Sequence, residues 1–167
     1  MNHHSLFLSL AYYKYDKQKY IKQSNNLISK LIGQIIIQSS IFKSKRYTMY
    51  NTYNFDYIIL QITTKLSPGQ ILEKIVYIES ILGVSNHSEK RNIQQQNIQC
   101  LYKNKIIDID ILFYDNIIVN SKKLQIPHPL LHLRKFILIP MCEIKPYQYH
   151  PIFNMYLLEL LGIYIDN

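Results

Sequence analysis

Ile106-Ile107-Asp108-Ile109-Asp110-Ile111-Leu112-Phe113-Tyr114 decides how the rest of this chain is read. Side chains alternate across a strand, so Ile107, Ile109, Ile111 and Phe113 are expected on one face and Asp108 with Asp110 on the other. The apolar face suits a core. Two carboxylates about 7 Å apart along one strand, from the rise per residue, offer hard oxygen donors to divalent cations, above all where a phosphate supplies further ligands. Taken alone, the pattern also suits a surface-facing acidic pair on an edge strand.

Working upstream, residues 84–104 are rich in Asn, Gln, Lys and Ser and read as a long loop leading into this strand. Before it, Ser67-Pro68-Gly69-Gln70 starts a helix: Ser67 caps, Pro68 fits the first helical position and Gln70 completes a capping box. Ile71, Leu72, Ile75, Ile78 and Leu82 mark its buried face, with Gly83 at its end. Glu79 falls in the last turn, where the helix dipole disfavours an acid, so a partner for it is expected. Residues 55–64 read as a strand, paired antiparallel with a β-rich run at 35–42 across a polar, Tyr-rich connection at 43–54. Residues 17–32 carry a helical apolar stripe that Gly33 stops, and residues 5–13 form the first strand.

Downstream come a turn at Asp115-Asn116, a short hairpin through Val119 and Leu124 to Ile126, and Pro127-His128-Pro129. Residues 130–144 read as helical with an interruption at Pro140, and residues 152–161 as a last amphipathic helix. The order β-α-β-β-α-loop-β predicts an α+β fold, ferredoxin-like, its antiparallel-rich sheet packed by two helices on one side. Residues 1–167 are expected to form a single domain.

Composition narrows the function classes. With 48% hydrophobic residues in 167, the chain can bury a sizeable core. Cys100 and Cys142 lie far apart without a CxxC pair, which points away from a zinc site or a disulfide framework and fits a reduced cytoplasm. The apolar segment at 5–13 has neither a basic region before it nor a small-residue cleavage site after it, and no run is long enough for a bilayer. A membrane partner is not expected. The net charge of +8 suits nucleic acid, an anionic membrane or a nucleotide phosphate. The chain is also crowded with Ile, Asn, Lys and Tyr and holds one alanine, Ala11, so an A/T-biased coding sequence accounts for much of that basicity.

Ile107-Asp108-Ile109-Asp110-Ile111-Leu112, then Leu124-Gln125-Ile126-Pro127-His128-Pro129, then Arg134-Lys135-Phe136, with Glu143-Ile144 behind them, form a series. In order and near-spacing it resembles the 6-hydroxymethyl-7,8-dihydropterin pyrophosphokinases of folate biosynthesis. The resemblance implies transfer of pyrophosphate from ATP to a dihydropterin hydroxymethyl oxygen, releasing AMP. Asp108 and Asp110 would hold two Mg²⁺ ions. His128 and Arg134 would contact phosphate, and Lys105 stands where the family places an arginine. Phe55 and Phe136 match the aromatic pair that sandwiches the pterin, with Ser44 and Glu79 on the substrate side. Ile111, Lys123 and Gln125 fall where the family lines its adenine and ribose site. A monomer is expected.

This chain departs from that pattern in named places. Ala11-Tyr12-Tyr13 replaces a Gly-Ser-Asn element after the first strand, Ser44 a threonine, and Tyr57 an asparagine that would read the pterin edge. Gly83-Val84-Ser85-Asn86 and Asn104-Lys105 stand where the family has arginines, though Lys90 and Arg91 lie in the loop between. Each lost charge stabiliser is worth a few kcal/mol of transition-state binding, so reduced activity is expected. Two other readings stay open at this point: a non-catalytic relative that retains ATP or partner binding, and a basic nucleic-acid module, against which the paired aspartates argue.

Overall fold

The computed structural model describes residues 3–13, 16–47, 52–83 and 106–166. Along these the chain runs β1 (His4–Tyr12), α1 (Lys17–Leu31), β2 (Gly33–Gln38), β3 (Phe42–Tyr47), β4 (Thr52–Thr64), α2 (Pro68–Gly83) and β5 (Ile107–Tyr114). It continues through β6 (Val119–Asn120), β7 (Gln125–Ile126), a 3-10 turn (Leu131–Leu133), α3 (Lys135–Ile144), β8 (Tyr149–His150), β9 (Met155–Tyr156) and α4 (Leu157–Asp166). The main sheet has the order β2-β4-β1-β5, with every neighbouring pair antiparallel. β3 pairs with the first half of β4, beyond β2. This is the expected ferredoxin-like α+β arrangement.

Local chemistry explains several boundaries. The Ser67 amide donates to Gln70 Oε1 at 2.9 Å and the Gln70 amide reaches Ser67 Oγ at 3.5 Å, the reciprocal box that starts α2. Tyr114 Oη donates to the Leu66 carbonyl at 3.0 Å and so fixes the entry to α2 beside β5. Gly33 has a different role from the helix stop expected of it. It is the first residue of β2, opposite Thr64, and a Cβ there would run into the Thr63 carbonyl oxygen. Close approach of two backbones, rather than a left-handed turn, requires the glycine.

The sheet buries both faces. On one, Leu6, Leu8, Leu10, Ile58, Leu60 and Ile62 join Ile107, Ile109 and Ile111 against Ile28 of α1 and Ile71, Ile75 and Ile78 of α2. On the other, Phe7, Ile59, Leu112 and Phe113 pack against Ile137, Leu138 and Met141 of α3 and Leu157 of α4. The two helices expected on one side are therefore joined by two more across the sheet. These cover only part of that second face and leave the part carrying Asp108 and Asp110 as the floor of a site.

Four sequence expectations are corrected. Phe113 does not share the face of Ile107, Ile109 and Ile111: Leu8 pairs with Ile111 but Phe7 with Phe113, so Leu112 is an extra residue in a bulge that flips the strand's alternation. The connection at 43–54 contains β3, whose alternate side chains line the same sheet face as β4. The break in the helical stretch falls at Arg134, in extended backbone with φ −117° and ψ 96°, and Pro140 sits inside α3. Pro140 is itself buried in α3 together with Ile137, Leu138 and Met141, so packing of this face offsets the helix hydrogen bond that proline cannot make. The last helix begins at Leu157, because Asn154 at φ 54° turns the chain into the β8-β9 hairpin first. The loop expected at 84–104 lies outside the described residues. Among the described residues no helix is long and apolar enough to cross a membrane.

Candidate active site

Asp108 and Asp110 project from the same face of β5, as alternation requires, opposite Ala11 and Ser9 of β1. Both are half-buried. The Tyr13 hydroxyl, one residue past β1, donates to Asp108 Oδ2 at 3.1 Å. On the other aspartate, Oδ2 of Asp110 faces His128 Nε2 and Arg134 Nη1, each at 3.8 Å. That separation exceeds a direct hydrogen bond, while keeping the three charged or polar heads around one small volume.

The imidazole is held by its neighbours. The His128 amide donates to the Leu112 carbonyl at 3.0 Å, which ties the Pro127-His128-Pro129 turn to the end of β5. His128 Nδ1 accepts from the Leu130 amide at 3.2 Å, so in the neutral ring the proton sits on Nε2, on the side of Asp110. Burial, and next the Arg134 guanidinium, push this imidazole down to about 4, against a smaller upward pull from Asp108. Near neutral pH the ring is therefore an uncharged N–H donor. Arg134 lies at the junction of the 3-10 turn and α3, with its guanidinium 5.8 Å from the Phe136 ring centre.

Glu79 finds the partner that its poor place in α2 demanded. Its Oε1 accepts the Ile109 amide proton at 2.7 Å. β5 is the edge of the sheet, so this carboxylate satisfies an outward-facing donor between the two aspartates.

Beside β5 a cavity of about 390 Å³ opens between α2 and the β6-β7 hairpin. Asp110, Ile111, Lys123, Gln125 and His128 line it together with Leu72. The residues expected at a nucleotide site thus meet in one cavity, with apolar walls from α2 and polar heads toward Asp110. Lys105, with Lys90 and Arg91, lies outside the described residues.

The aromatic pair is arranged differently from expectation. Phe55 is buried, with Tyr13 edge-on to it at 4.9 Å. The ring stacked on Phe136 is that of Tyr57, at 4.3 Å and 25° between planes. Phe55 and Tyr57 are 6.3 Å apart. Ser44 lies directly across from Phe55 on β3, beside this group. From α3, Glu143 Oε1 accepts from both the Ser40 amide at 2.9 Å and the Ser40 hydroxyl at 2.7 Å, holding the link between β2 and β3 under the rings. Sequence reasoning missed Tyr13 as a partner of Asp108 and Tyr57 as a partner of Phe136. The signal for Tyr57 was its i+2 spacing from Phe55, which puts both on one face; Tyr13 lies beyond the strand and carried no such signal.

Oxygen donors from two carboxylates suit Mg²⁺, which is commonly bound through one or two carboxylates plus substrate phosphates. Among the described residues no group of three or more His, Cys, Asp or Glu is arranged to hold a metal ion.

Comparison with known proteins places the chain in a family. A family model described as 7,8-dihydro-6-hydroxymethylpterin-pyrophosphokinase matches residues 7–146. A 2-amino-4-hydroxy-6-hydroxymethyldihydropteridine pyrophosphokinase of Aquifex aeolicus is 29% identical over 93% of this chain and 89% of its own length. A folic acid synthesis protein of Dictyostelium discoideum is 30% identical over 75% of this chain, which spans only 18% of that longer protein. Among solved structures, wild-type Plasmodium falciparum HPPK-DHPS with pteroate matches with a TM-score of 0.74 at 16% identity, over 99% of this chain and 45% of that one, a likeness of fold. By the match of the family model to most of its length, the chain belongs to the 7,8-dihydro-6-hydroxymethylpterin-pyrophosphokinase family.

Proposed function

We propose that this chain transfers the pyrophosphoryl group of ATP to the hydroxymethyl oxygen of 6-hydroxymethyl-7,8-dihydropterin and releases AMP. The carrying observation is the convergence of His128 and Arg134 on Asp110, at 3.8 Å each, on the rim of the cavity lined by Ile111, Lys123 and Gln125. The adenosine end occupies that cavity, and its phosphates run toward the aspartates. The pterin lies beside Phe136, with Phe55 and Ser44 lining the same side and Glu79 supporting the strand between. The hydroxymethyl oxygen attacks the β-phosphorus, the bond from the β-phosphorus to the α,β-bridging oxygen breaks, that oxygen leaves as part of AMP, and the hydroxyl proton passes to solvent.

In this reading Asp108 and Asp110 would hold two Mg²⁺ ions. When bound, the metal neutralises phosphate charge and orients the oxygens for in-line displacement. Arg134 supplies a planar fork to the phosphate, and His128 a directed Nε2–H, both placed before the substrate arrives. Lys105, which precedes β5 in the sequence, would add positive charge. A catalytic efficiency below that of relatives rich in loop arginines follows from lysine's single point charge.

The test is to incubate the protein with ATP, Mg²⁺ and the dihydropterin and to follow AMP. Formation that needs all three and is lost in Asp108→Ala is the expected result. No AMP above the Asp108→Ala background would reject the reading in favour of a relative that binds without turnover.

A further inference from the structure

On the sheet face of the site one cross-strand row reads Asp108 on β5, Ala11 on β1, Tyr57 on β4 and Phe42 on β3. Neighbouring strands lie about 4.8 Å apart, so Tyr57 and the carboxylate strand are about 10 Å from each other across the sheet. Ala11, between them, carries only a methyl group and is covered, at 6% exposure. α3 brings Phe136 to this row, and Tyr57 lies against it at 4.3 Å between centres and 25° between planes. This is an offset-stacking geometry. A flat ligand held on that side of Phe136 has to meet the phenol ring first.

We propose that Tyr57 is a specificity-determining residue that occupies the pterin's stacking place on Phe136 and must swing aside for the substrate to bind. This deepens the function proposed above and rests on it for the identity of the ligand. Tyr57 is half-buried, so part of its side chain already meets solvent. The exchange favours a fused two-ring system, which covers more of the Phe136 face than a single phenol does. Breaking a stacked aromatic pair lowers apparent affinity by between about twofold and about tenfold. Tyr57 thereby raises the pterin KM and leaves the cavity that lies beyond Asp110 untouched.

The experiment measures binding of fluorescent 6-hydroxymethylpterin, with Mg²⁺ and a non-hydrolysable ATP analogue present, to wild type, Tyr57→Ala, Tyr57→Asn and Tyr57→Phe. Tyr57→Ala and Tyr57→Asn are expected to tighten pterin binding by about three- to tenfold, with the Kd of the nucleotide analogue unchanged. Tyr57→Phe keeps the ring and should match wild type. In turnover the same two variants lower the pterin KM more than they change kcat. Unchanged or weaker pterin binding in a folded Tyr57→Ala or Tyr57→Asn, or equal tightening by Tyr57→Phe, overturns the proposal. The two readings fail separately: absence of AMP in wild type rejects the transfer reaction, whereas the binding series judges Tyr57 whether or not turnover occurs.

Discussion

Glu79 on α2 reaches the edge of the sheet and accepts the amide proton of Ile109, 2.7 Å away, between the two aspartates of the site. The strand's acidic pair is thus positioned by a third carboxylate that comes from a different element. Its place on the backbone explains why an acid is tolerated in the last turn of α2, where the dipole opposes it.

Removing that support leaves a partly buried amide without its acceptor, at a cost of about 1–3 kcal/mol. Glu79→Ala is expected to lower the unfolding free energy by an amount in that range and to reduce AMP formation. Glu79→Gln retains an accepting oxygen and should lose much less of both. Chemical denaturation run beside the rate assay checks the pair.

Tyr13 donates to Asp108 from the far end of β1. Groups that orient a metal-binding side chain commonly contribute about ten- to a hundredfold to affinity or activity. Tyr13→Phe keeps the edge contact to Phe55 and loses only the hydroxyl. Its half-saturating Mg²⁺ concentration should rise by about tenfold or more, measured by titrating Mg²⁺ at fixed ATP.

Arg134 differs from lysine in its planar fork. Arg134→Lys should therefore lower kcat by about a hundredfold, the scale of losing one preorganised charge stabiliser, with little change in fold stability. Steady-state kinetics and a thermal melt decide this together. Loss of stability equal to the loss of rate would count against a phosphate contact.

Two histidines give the fold an acid limit. Burial holds both His128 and His150 down to about 4, with Arg134 adding to the effect on the first and His132 on the second. An unfolded chain takes up these protons near the usual histidine value of about 6.5. Between that value and about 4 the unfolded state binds more protons, so stability falls as pH falls. The slope approaches about 1.4 kcal/mol per pH unit for each histidine. His150 is 2% exposed and lies edge-on to Phe113 at 5.5 Å, so His150→Phe should flatten the slope between pH 6.5 and 4 by one proton's worth in denaturation experiments.

Much of the site was legible because its residues follow local rules. The alternation of β5 placed Asp108 and Asp110 together, the capping box fixed the start of α2, and His128 lies on a turn bounded by prolines. What escaped depends on contacts between distant segments. The pairing of Leu8 with Ile111 and Phe7 with Phe113, which makes the bulge, belongs to two strands at once and has no mark in either. β3 carries charged residues at alternate positions, which hid its strand character in a polar stretch. Pro140 obeyed packing rather than propensity, and Tyr57 met Phe136 only because α3 crosses the sheet there.

The bulge at Leu112 works as a phase shift along a single strand. Before it, odd-numbered residues of β5 feed the core under α1 and α2 while Asp108 and Asp110 face the site; after it, Phe113 joins the core under α3 and α4. One strand thereby serves two interiors whose positions are set independently. Deleting Leu112 would restore strict alternation and keep Phe113 opposite Phe7 in the second core, so the loss there would be the Leu112 side chain alone, without moving either aspartate along the strand. Chemistry and packing on β5 are thus separable, and a change in the second core has a buffer to cross before it reaches the carboxylates.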